Sequence, residues 1–180
     1  PLLLFVGQHI YEKNLDFLLR SVALLKDMPF RMFFIGTGYA ASALQELARH
    51  LGLENRVSFL GRIIEREQLR RYYLAADLFL FPSRYDNAPL VVREAAALHT
   101  PSLMLEGSTA SAVIRSGENG FLTTENTEEY AGRIRSILQD PDLLARVAQG
   151  ASDSLARSWE DIAGEVADRY RNLMNRFSRK

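Results

Sequence analysis

The chain has 180 residues, the length of one ordinary domain, and such a domain buries roughly 70% of its unfolded surface, so hydrophobic burial alone can stabilise it. Lys plus Arg and Asp plus Glu each number 22, so the net charge is zero, which argues against a nucleic-acid-binding protein and against charge-driven membrane binding. There is no cysteine, which excludes disulfides, thiolate nucleophiles and cysteine-ligated zinc, and the three histidines lie too far apart in sequence to predict a zinc site.

Six short apolar runs predict β-strands. They are Leu2–Val6, Arg31–Ile35, Val57–Leu60, Leu78–Phe81, Ser102–Leu105 and Gly120–Leu122. Several are apolar throughout, which is typical of strands in a parallel sheet that is covered on both faces.

Longer segments with an apolar stripe lie between these runs and predict four helices. The stripes comprise Leu15, Leu18, Leu19, Val22 and Leu25; Leu44, Leu47, Ala48 and Leu51; Leu69, Tyr72 and Tyr73; and Val92 to Leu98. Gly52 follows the second stripe and is typical of a helix C-terminus. Because strands and helices alternate, the sequence predicts an α/β domain with a parallel sheet and right-handed crossovers.

Three further helices are predicted after Leu122, where the strands stop. Asn126 can cap a helix over Thr127–Leu138, Pro141 is typical of a first helical position, and Asp161–Phe177 carries an apolar stripe. That stripe comprises Ile162, Val166, Tyr170, Leu173 and Phe177. We favour its packing on the same domain, with a separate partner as the alternative. The sequence thus indicates a single domain over residues 1–180, with an α/β core over about 1–125 and a helical tail over about 126–180.

Loops at the carboxyl ends of the strands are where an open parallel sheet binds ligands. The loop Gly36-Thr37-Gly38-Tyr39-Ala40-Ala41 has the G-x-G-x-x-A spacing of a dinucleotide fingerprint. The next strand ends without the acidic residue that such a site needs for the ribose, and the loop follows the second strand rather than the first. We therefore favour a glycine turn over an NAD site, and a different nucleotide stays open.

Lys13 lies in the loop between the first strand and the first helix. Asn14 can cap that helix, and Lys13 stands beside its amide-rich, positive end. A cation there is mildly unfavourable unless an anion shares the site. An anion-binding lysine and a solvated lysine are the two interpretations.

The segment from Pro82 to Ala97 is the most informative in the chain. Pro89 fits the first position of a helix, which places Asp86 in the loop and Glu94 inside the helix beside small residues. We expect Glu94 to be largely buried and therefore to need a hydrogen-bonding partner. An arginine or a ligand hydroxyl can fill that role.

Motifs along nearly the whole chain, from Leu4 to about Tyr170, together resemble one family. They are Val6-Gly7 with Lys13-Asn14, Ile35-Gly36-x-Gly38, Leu51-Gly52-Leu53 with Arg56-Val57-x-Phe59-Leu60-Gly61, Ala76-Asp77-Leu78-Phe79-Leu80-Phe81-Pro82-Ser83, Glu94-Ala95-x-Ala97 and Gly117-x-Asn119-Gly120. Their order and spacing resemble the C-terminal, nucleotide-sugar-binding half of retaining family-4 glycosyltransferases of the GT-B fold. The resemblance implies a Rossmann-like parallel sheet sandwiched by helices. It also implies sugar transfer from a nucleoside-diphosphate sugar to an acceptor with retention.

The resemblance carries roles to particular residues. The two-acid motif of the family falls on Asp86 and Glu94, which would be the catalytic pair, Asp86 on the transferred sugar and Glu94 on the ribose. The donor site would further comprise Lys13 and the amides around Ala88, Leu90 and Val91 on the diphosphate, and Gly7, Gln8, Gly36, Gly38, Arg62 and Ile63 around the nucleotide. Lysine and helix-start amides would neutralise the leaving phosphate, so neither a metal nor another cofactor is expected.

Three positions depart from the family pattern. The first motif acid is the shorter Asp86, Gln8 stands where an arginine is usual, and Pro89 replaces a glycine and has no amide to donate. The changes at Gln8 and Pro89 keep one alternative open, a non-catalytic nucleotide-sugar-binding module. A second alternative is a nucleotide-free α/β interaction module, which would leave the Asp86–Glu94 stretch unexplained.

The resemblance and the first residues also bear on context. The chain begins without Met and inside an apolar run, so we expect a piece of a longer protein whose N-terminal, acceptor-binding domain is absent. The opening is too short for a signal peptide, and no apolar run approaches the roughly 20 residues of a membrane span. We expect a cytoplasmic protein, with the inner face of the membrane as the alternative, and membrane contact only through the absent half.

Overall fold

The computed structural model describes residues 1–87, 89–156 and 159–177. Its strands are β1 (Leu2–Val6), β2 (Arg31–Ile35), β3 (Val57–Gly61), β4 (Leu78–Phe81), β5 (Ser102–Leu105) and β6 (Phe121–Thr123). Its helices are α1 (Leu15–Ala23), α2 (Ala41–His50), α3 (Arg66–Ala75), α4 (Leu90–Ala97), α5 (Thr127–Leu138), α6 (Pro141–Leu155) and α7 (Trp159–Phe177). Two 3₁₀ turns, Tyr11–Lys13 and Thr109–Val113, lie in the loops after β1 and β5.

The predicted α/β architecture with a parallel sheet is confirmed. The described strands form one sheet in the order β3-β2-β1-β4-β5-β6, with every strand pair parallel. Four strands have the predicted bounds, while β3 extends one residue further and β6 begins and ends one residue later. The strand order changes direction between the central strands β1 and β4, and a sheet of this kind opens a crevice there at its carboxyl edge.

Local chemistry explains where several helices begin and end. Gly52 has a φ of +70° just after α2, as expected of a helix-ending glycine. The Asn126 side chain accepts a hydrogen bond from the Glu129 N–H at 3.0 Å and caps α5 as predicted. The prediction for Pro89 is wrong by one residue: its ψ of 99° is extended, so it precedes α4, and Leu90 is the first helical residue.

Aromatic side chains join the two central strands. The ring of Phe81 on β4 stacks on that of Phe5 on β1, with centroids 6.2 Å apart, and on that of Phe79, with centroids 6.0 Å apart. All three rings are buried, and burial of each contributes about 1.5–3 kcal/mol. Because Phe81 immediately precedes Pro82, this layer supports the loop that carries Asp86.

The last three helices differ in how they pack. Helix α5 lies against α1, and α6 lies against α4 and α5. In α7 the stripe side chains Val166, Tyr170 and Leu173 are exposed. The favoured prediction that this stripe packs on the same domain is therefore wrong for these residues, and the Phe177 side chain lies outside the described part of the chain. No helix among the described residues is both long and apolar enough to cross a membrane.

Candidate functional site

A cleft of about 430 Å³ lies at the carboxyl ends of β1, β2 and β3. This is within the usual volume of small-molecule sites. Its lining comprises Val6, Gly7, Gln8, Ile35, Gly36, Thr37, Arg62, Ile63 and Leu69. The cleft therefore brings together five of the residues that sequence reasoning assigned to the nucleotide, and Gly38 is not among the lining residues.

The glycines of the second loop allow two backbones to touch. A Cβ on Gly36 would lie 1.9 Å from the Gly7 carbonyl oxygen, and a Cβ on Gly38 would lie 2.3 Å from that of His9. Between them, the His9 N–H donates to the Thr37 carbonyl at 3.0 Å, extending the pairing of β1 and β2 beyond the strands. The glycine spacing is explained by this close approach, which favours the glycine-turn interpretation.

Lys13 and Asp86 meet at the carboxyl edge of the central strands. The Lys13 Nζ lies 2.5 Å from the Asp86 Oδ2, and the two side chains are only 16% and 22% exposed. The same Nζ stands 5.4 Å from the centroid of the Phe81 ring. A half-buried ion pair over an aromatic ring is less screened than a surface pair. The interpretation of Lys13 as a solvated lysine is therefore wrong.

The prediction that the Asn14 side chain caps α1 is wrong. Asn14 has a left-handed φ of 58°, and its side-chain nitrogen donates to Glu125 Oε1 at 3.1 Å instead. The Arg84 Nε donates to Glu125 Oε2 at 2.8 Å, and this guanidinium lowers the pKa of the Glu125 carboxyl. Sequence reasoning missed Glu125, because nothing local marks a carboxylate 41 residues from its arginine.

Hydroxyl groups hold the loop that carries Asp86. The Thr109 hydroxyl accepts from the Asp86 N–H at 2.9 Å and donates to the Asp86 carbonyl at 3.2 Å. The buried Ser83 hydroxyl donates to the Tyr85 carbonyl at 3.2 Å. Both hydroxyls act on main-chain atoms, so their contacts leave the Asp86 carboxylate free to pair with Lys13.

Glu94 is exposed, which corrects the expectation that it is largely buried. Its helix buries Val92, Ala95 and Ala96, and the helical period turns Glu94 away from that stripe. The Tyr73 hydroxyl donates to Glu94 Oε2 at 3.1 Å. Burial, followed by the charge of Glu94, raises the pKa of Tyr73. Among the described residues no arginine pairs with Glu94, so the structure does not support an arginine as its hydrogen-bonding partner.

The remaining predicted positions surround the start of α4. Leu90 is exposed and Val91 is half-buried at the first turn, where helix N–H groups lack intrahelical partners. Ala88 lies outside the described residues. Across the described ranges no group of three histidine, aspartate or glutamate side chains is placed to hold a metal ion.

A protein-family model matches most of this chain. The model of the family described as "Glycosyl transferases group 1" matches residues 1–153. Among curated proteins, the chain is 26% identical over 182 residues to an uncharacterized glycosyltransferase of Methanocaldococcus jannaschii, MJ1607, covering 99% of this chain and 46% of that protein. It is 31% identical over 190 residues to a D-inositol 3-phosphate glycosyltransferase of Streptomyces avermitilis, covering 98% of this chain and 41% of that one.

Solved structures share the fold. A sucrose-phosphate synthase from Thermosynechococcus elongatus matches with a TM-score of 0.85 at 26% identity, covering 97% of this chain and 46% of the other. The structure of Anabaena Alr3699/HepE in complex with UDP and glucose matches with a TM-score of 0.82 at 24% identity, covering 94% and 48%. The chain thus spans slightly less than half the length of these relatives.

Proposed function

The chain belongs to the group 1 glycosyl transferases, and from this membership we propose that it is the donor-binding half of an enzyme that transfers a sugar from a nucleoside-diphosphate sugar. The observation that carries this proposal is the Lys13–Asp86 pair, with Nζ and Oδ2 2.5 Å apart. Lys13 lies on the loop that also supplies Gly7 and Gln8 to the 430 Å³ cleft, and Asp86 lies on the loop after β4. In such a donor, a cation suits the charge of the diphosphate and an acid suits the hydroxyls of the sugar.

We assign the nucleotide to the cleft and to Glu94. The half-buried side chain of Ile63 supplies apolar surface to the base, and the Gly36 backbone allows close approach. Glu94 offers an exposed carboxylate whose Oε2 is already oriented by Tyr73. A carboxylate accepts hydrogen bonds from both hydroxyls of a ribose, and charge-assisted bonds of this kind are the strong ones.

Lys13 is proposed to bind the diphosphate. A diphosphate competes with Asp86 for the Lys13 ammonium, because both ligands are anions within reach of one cation. Release from Lys13 lets the Asp86 carboxylate accept hydrogen bonds from hydroxyls of the transferred sugar. Lys13 and the N–H groups at the start of α4 then stabilise the charge that develops on the leaving phosphate. Pro89 contributes no N–H to this set.

The finer features of the reaction extend this proposal. Retention of configuration and membership of family 4 rest on the resemblance of the Asp86 and Glu94 motif. The acceptor is assigned to the remainder of the longer relatives, because this chain covers 41–46% of the two curated proteins above. We propose that charge neutralisation by Lys13 and helix amides needs no metal ion, and that the protein acts in the cytoplasm.

Gln8 favours a second candidate, a nucleotide-sugar-binding module without transfer activity. Gln8 lines the cleft, is exposed and carries no charge. It therefore supplies less stabilisation to a leaving diphosphate than a cation would. Sugar transfer by the full-length parent protein, or its failure with an intact donor site, separates the two candidates.

Titration calorimetry tests the donor site directly. The 180-residue chain is titrated with uridine, guanosine and adenosine diphosphates, and we expect weak binding of at least one. We expect no sugar transfer by this chain alone, because the acceptor is assigned to the rest of the protein. No heat with any of the three at millimolar concentration would contradict the donor site.

A further inference from the structure

The Thr109 side chain contacts the main chain of Asp86, the proposed sugar-binding acid. Thr109 is the first residue of the 3₁₀ turn after β5. Its hydroxyl accepts from the Asp86 N–H at 2.9 Å and donates to the Asp86 carbonyl at 3.2 Å. One hydroxyl can do both, because it has one donor hydrogen and two acceptor lone pairs. Thr109 therefore hydrogen-bonds both the N–H and the carbonyl of Asp86.

The loop around Asp86 has few other main-chain anchors. Within the described residues, no backbone-to-backbone hydrogen bond outside the helices and strands involves residues 83–87. The Ser83 hydroxyl donates to the Tyr85 carbonyl at 3.2 Å and also lies 3.4 Å from the Glu12 carbonyl, so it anchors the start of the stretch and not Asp86 itself. The main-chain position of Asp86, and with it the direction of its side chain, thus depends on Thr109.

We propose that Thr109 is a positioning residue for Asp86 and that it tunes recognition of the sugar part of the donor. This inference rests on the proposed function, in which Asp86 contacts the transferred sugar. With its main chain held by these two hydrogen bonds, Asp86 starts from one position, paired with Lys13 at 2.5 Å. When the diphosphate displaces it from Lys13, its carboxylate then reaches one place in the crevice. Without these two hydrogen bonds the Asp86 carboxylate samples several positions, and forming a hydrogen bond to the sugar then costs more conformational entropy.

The test compares a nucleoside diphosphate with its sugar conjugate in Thr109→Val, which removes the hydroxyl and keeps the branched shape. The ligand pair is UDP with UDP-glucose, GDP with GDP-mannose or ADP with ADP-glucose, according to the base that binds best. We expect Thr109→Val to weaken the sugar nucleotide about three- to tenfold, the effect of losing one or two hydrogen bonds. Binding of the nucleoside diphosphate should stay within about twofold, because Thr109 is not assigned a contact with it.

Two further variants serve as controls. Thr109→Ser keeps the hydroxyl and should restore the wild-type ratio of the two affinities. Ser136→Ala removes an exposed hydroxyl on α5 that donates to the Arg133 carbonyl, and it should leave both affinities unchanged. In an Asp86→Asn background, Thr109→Val should have a smaller effect on the ratio, because the group that it positions has already lost its charge.

The outcomes separate this inference from the proposed function. If the wild-type chain binds none of the nucleotides, the proposed function fails. If the wild-type chain binds them and Thr109→Val weakens both ligands equally, or neither, the inference fails and the donor site stands. A lower melting temperature with an unchanged affinity ratio also overturns the inference, because it shows a purely structural threonine.

Discussion

The Lys13 ammonium pairs with Asp86 and faces the Phe81 ring. Lys13→Ala should weaken binding of a nucleoside diphosphate by about 1.5–3 kcal/mol, the range for hydrogen bonds to charged groups. Binding of the nucleoside without phosphates should barely change, since the cation acts on the phosphates. Calorimetry with both ligands measures the difference, and Lys26→Ala, at an exposed position after α1, is the matched control. Equal losses for the two ligands would mean that Lys13 has a structural role.

Glu94 offers a test of the ribose assignment that barely disturbs the fold. Glu94→Gln keeps the side-chain shape and an oxygen for the Tyr73 hydroxyl, while losing charge-assisted acceptance from the ribose. We expect ribonucleoside diphosphate binding to weaken by about 1–3 kcal/mol. The melting temperature should move little, because Glu94 is exposed.

A 2′,3′-dideoxyribonucleoside diphosphate identifies the group that Glu94 binds. Glu94→Gln should leave its affinity unchanged, as should the control Glu54→Gln at an exposed position in the loop before β3. If wild-type protein does not distinguish the ribose from the dideoxyribose, Glu94 is not the ribose anchor.

The resemblance to the family's two-acid motif singled out Asp86, and its place in the loop after the first strand singled out Lys13, but neither predicts that the two side chains pair. They are 73 residues apart in sequence and meet because the parallel crossovers bring both loops to one edge of the sheet. Thr109 is 23 residues from Asp86, and no pattern around it predicts their hydrogen bonds. The exposure of Glu94 was missed because neighbouring alanines suggested a buried segment, whereas the helical period decides which side faces the core.

The glycine-rich loop after β2 makes a prediction about stability. Gly36→Ala would place a Cβ 1.9 Å from the Gly7 carbonyl oxygen at a φ of +138°, so the joined loops must separate. We expect a loss of at least about 1–3 kcal/mol in the free energy of unfolding, the cost of local backbone strain. Urea denaturation measures it.

Gly132 on α5 provides the opposite case for the same substitution. A Cβ there would meet no atom within 4 Å. Gly132→Ala should therefore stabilise the protein by about 0.5–1 kcal/mol, because alanine loses less backbone entropy in a helix. If both variants changed stability in the same direction, the close approach of the two loops would not be the reason for Gly36.

Apolar patterning predicted the elements of the tail better than their packing. Helix α5 has the predicted bounds and buries Tyr130, Ile134 and Ile137. The stripe of α7 has the same helical period, but Tyr170 is 65% exposed and Leu173 is 49% exposed. Periodicity therefore identifies which side of a helix is apolar, whereas the surface that covers that side depends on the positions of the other elements. The prediction of a helix over Asp161–Phe177 is confirmed, with its start at Trp159, and the favoured packing is wrong for Val166, Tyr170 and Leu173.

The stability of the protein should also depend on pH through His9, which lies in the loop after β1. His9 is 1% exposed, and its ring lies edge-on to the stacked rings of Phe34 and Phe59, with centroids 6.2 and 5.9 Å away. Its Nε2 has no partner among the described residues. Burial lowers the pKa of His9 below its ordinary value. Protonation of this histidine is therefore easier in the unfolded chain than in the folded one.

We expect the stability that comes from neutral His9 to be complete above the unfolded pKa, about 6.5, and to fall as the pH drops below it. The slope that one proton can contribute is at most about 1.4 kcal/mol per pH unit. Urea denaturation between pH 7.5 and 5 measures this slope in wild type, in His9→Phe and in the control His50→Gln, whose histidine is exposed. His9→Phe removes the titrating group and keeps an aromatic ring, so its slope should be shallower than that of wild type, while His50→Gln should keep the wild-type slope. An unchanged slope in His9→Phe would show that other groups carry the acid sensitivity of the fold.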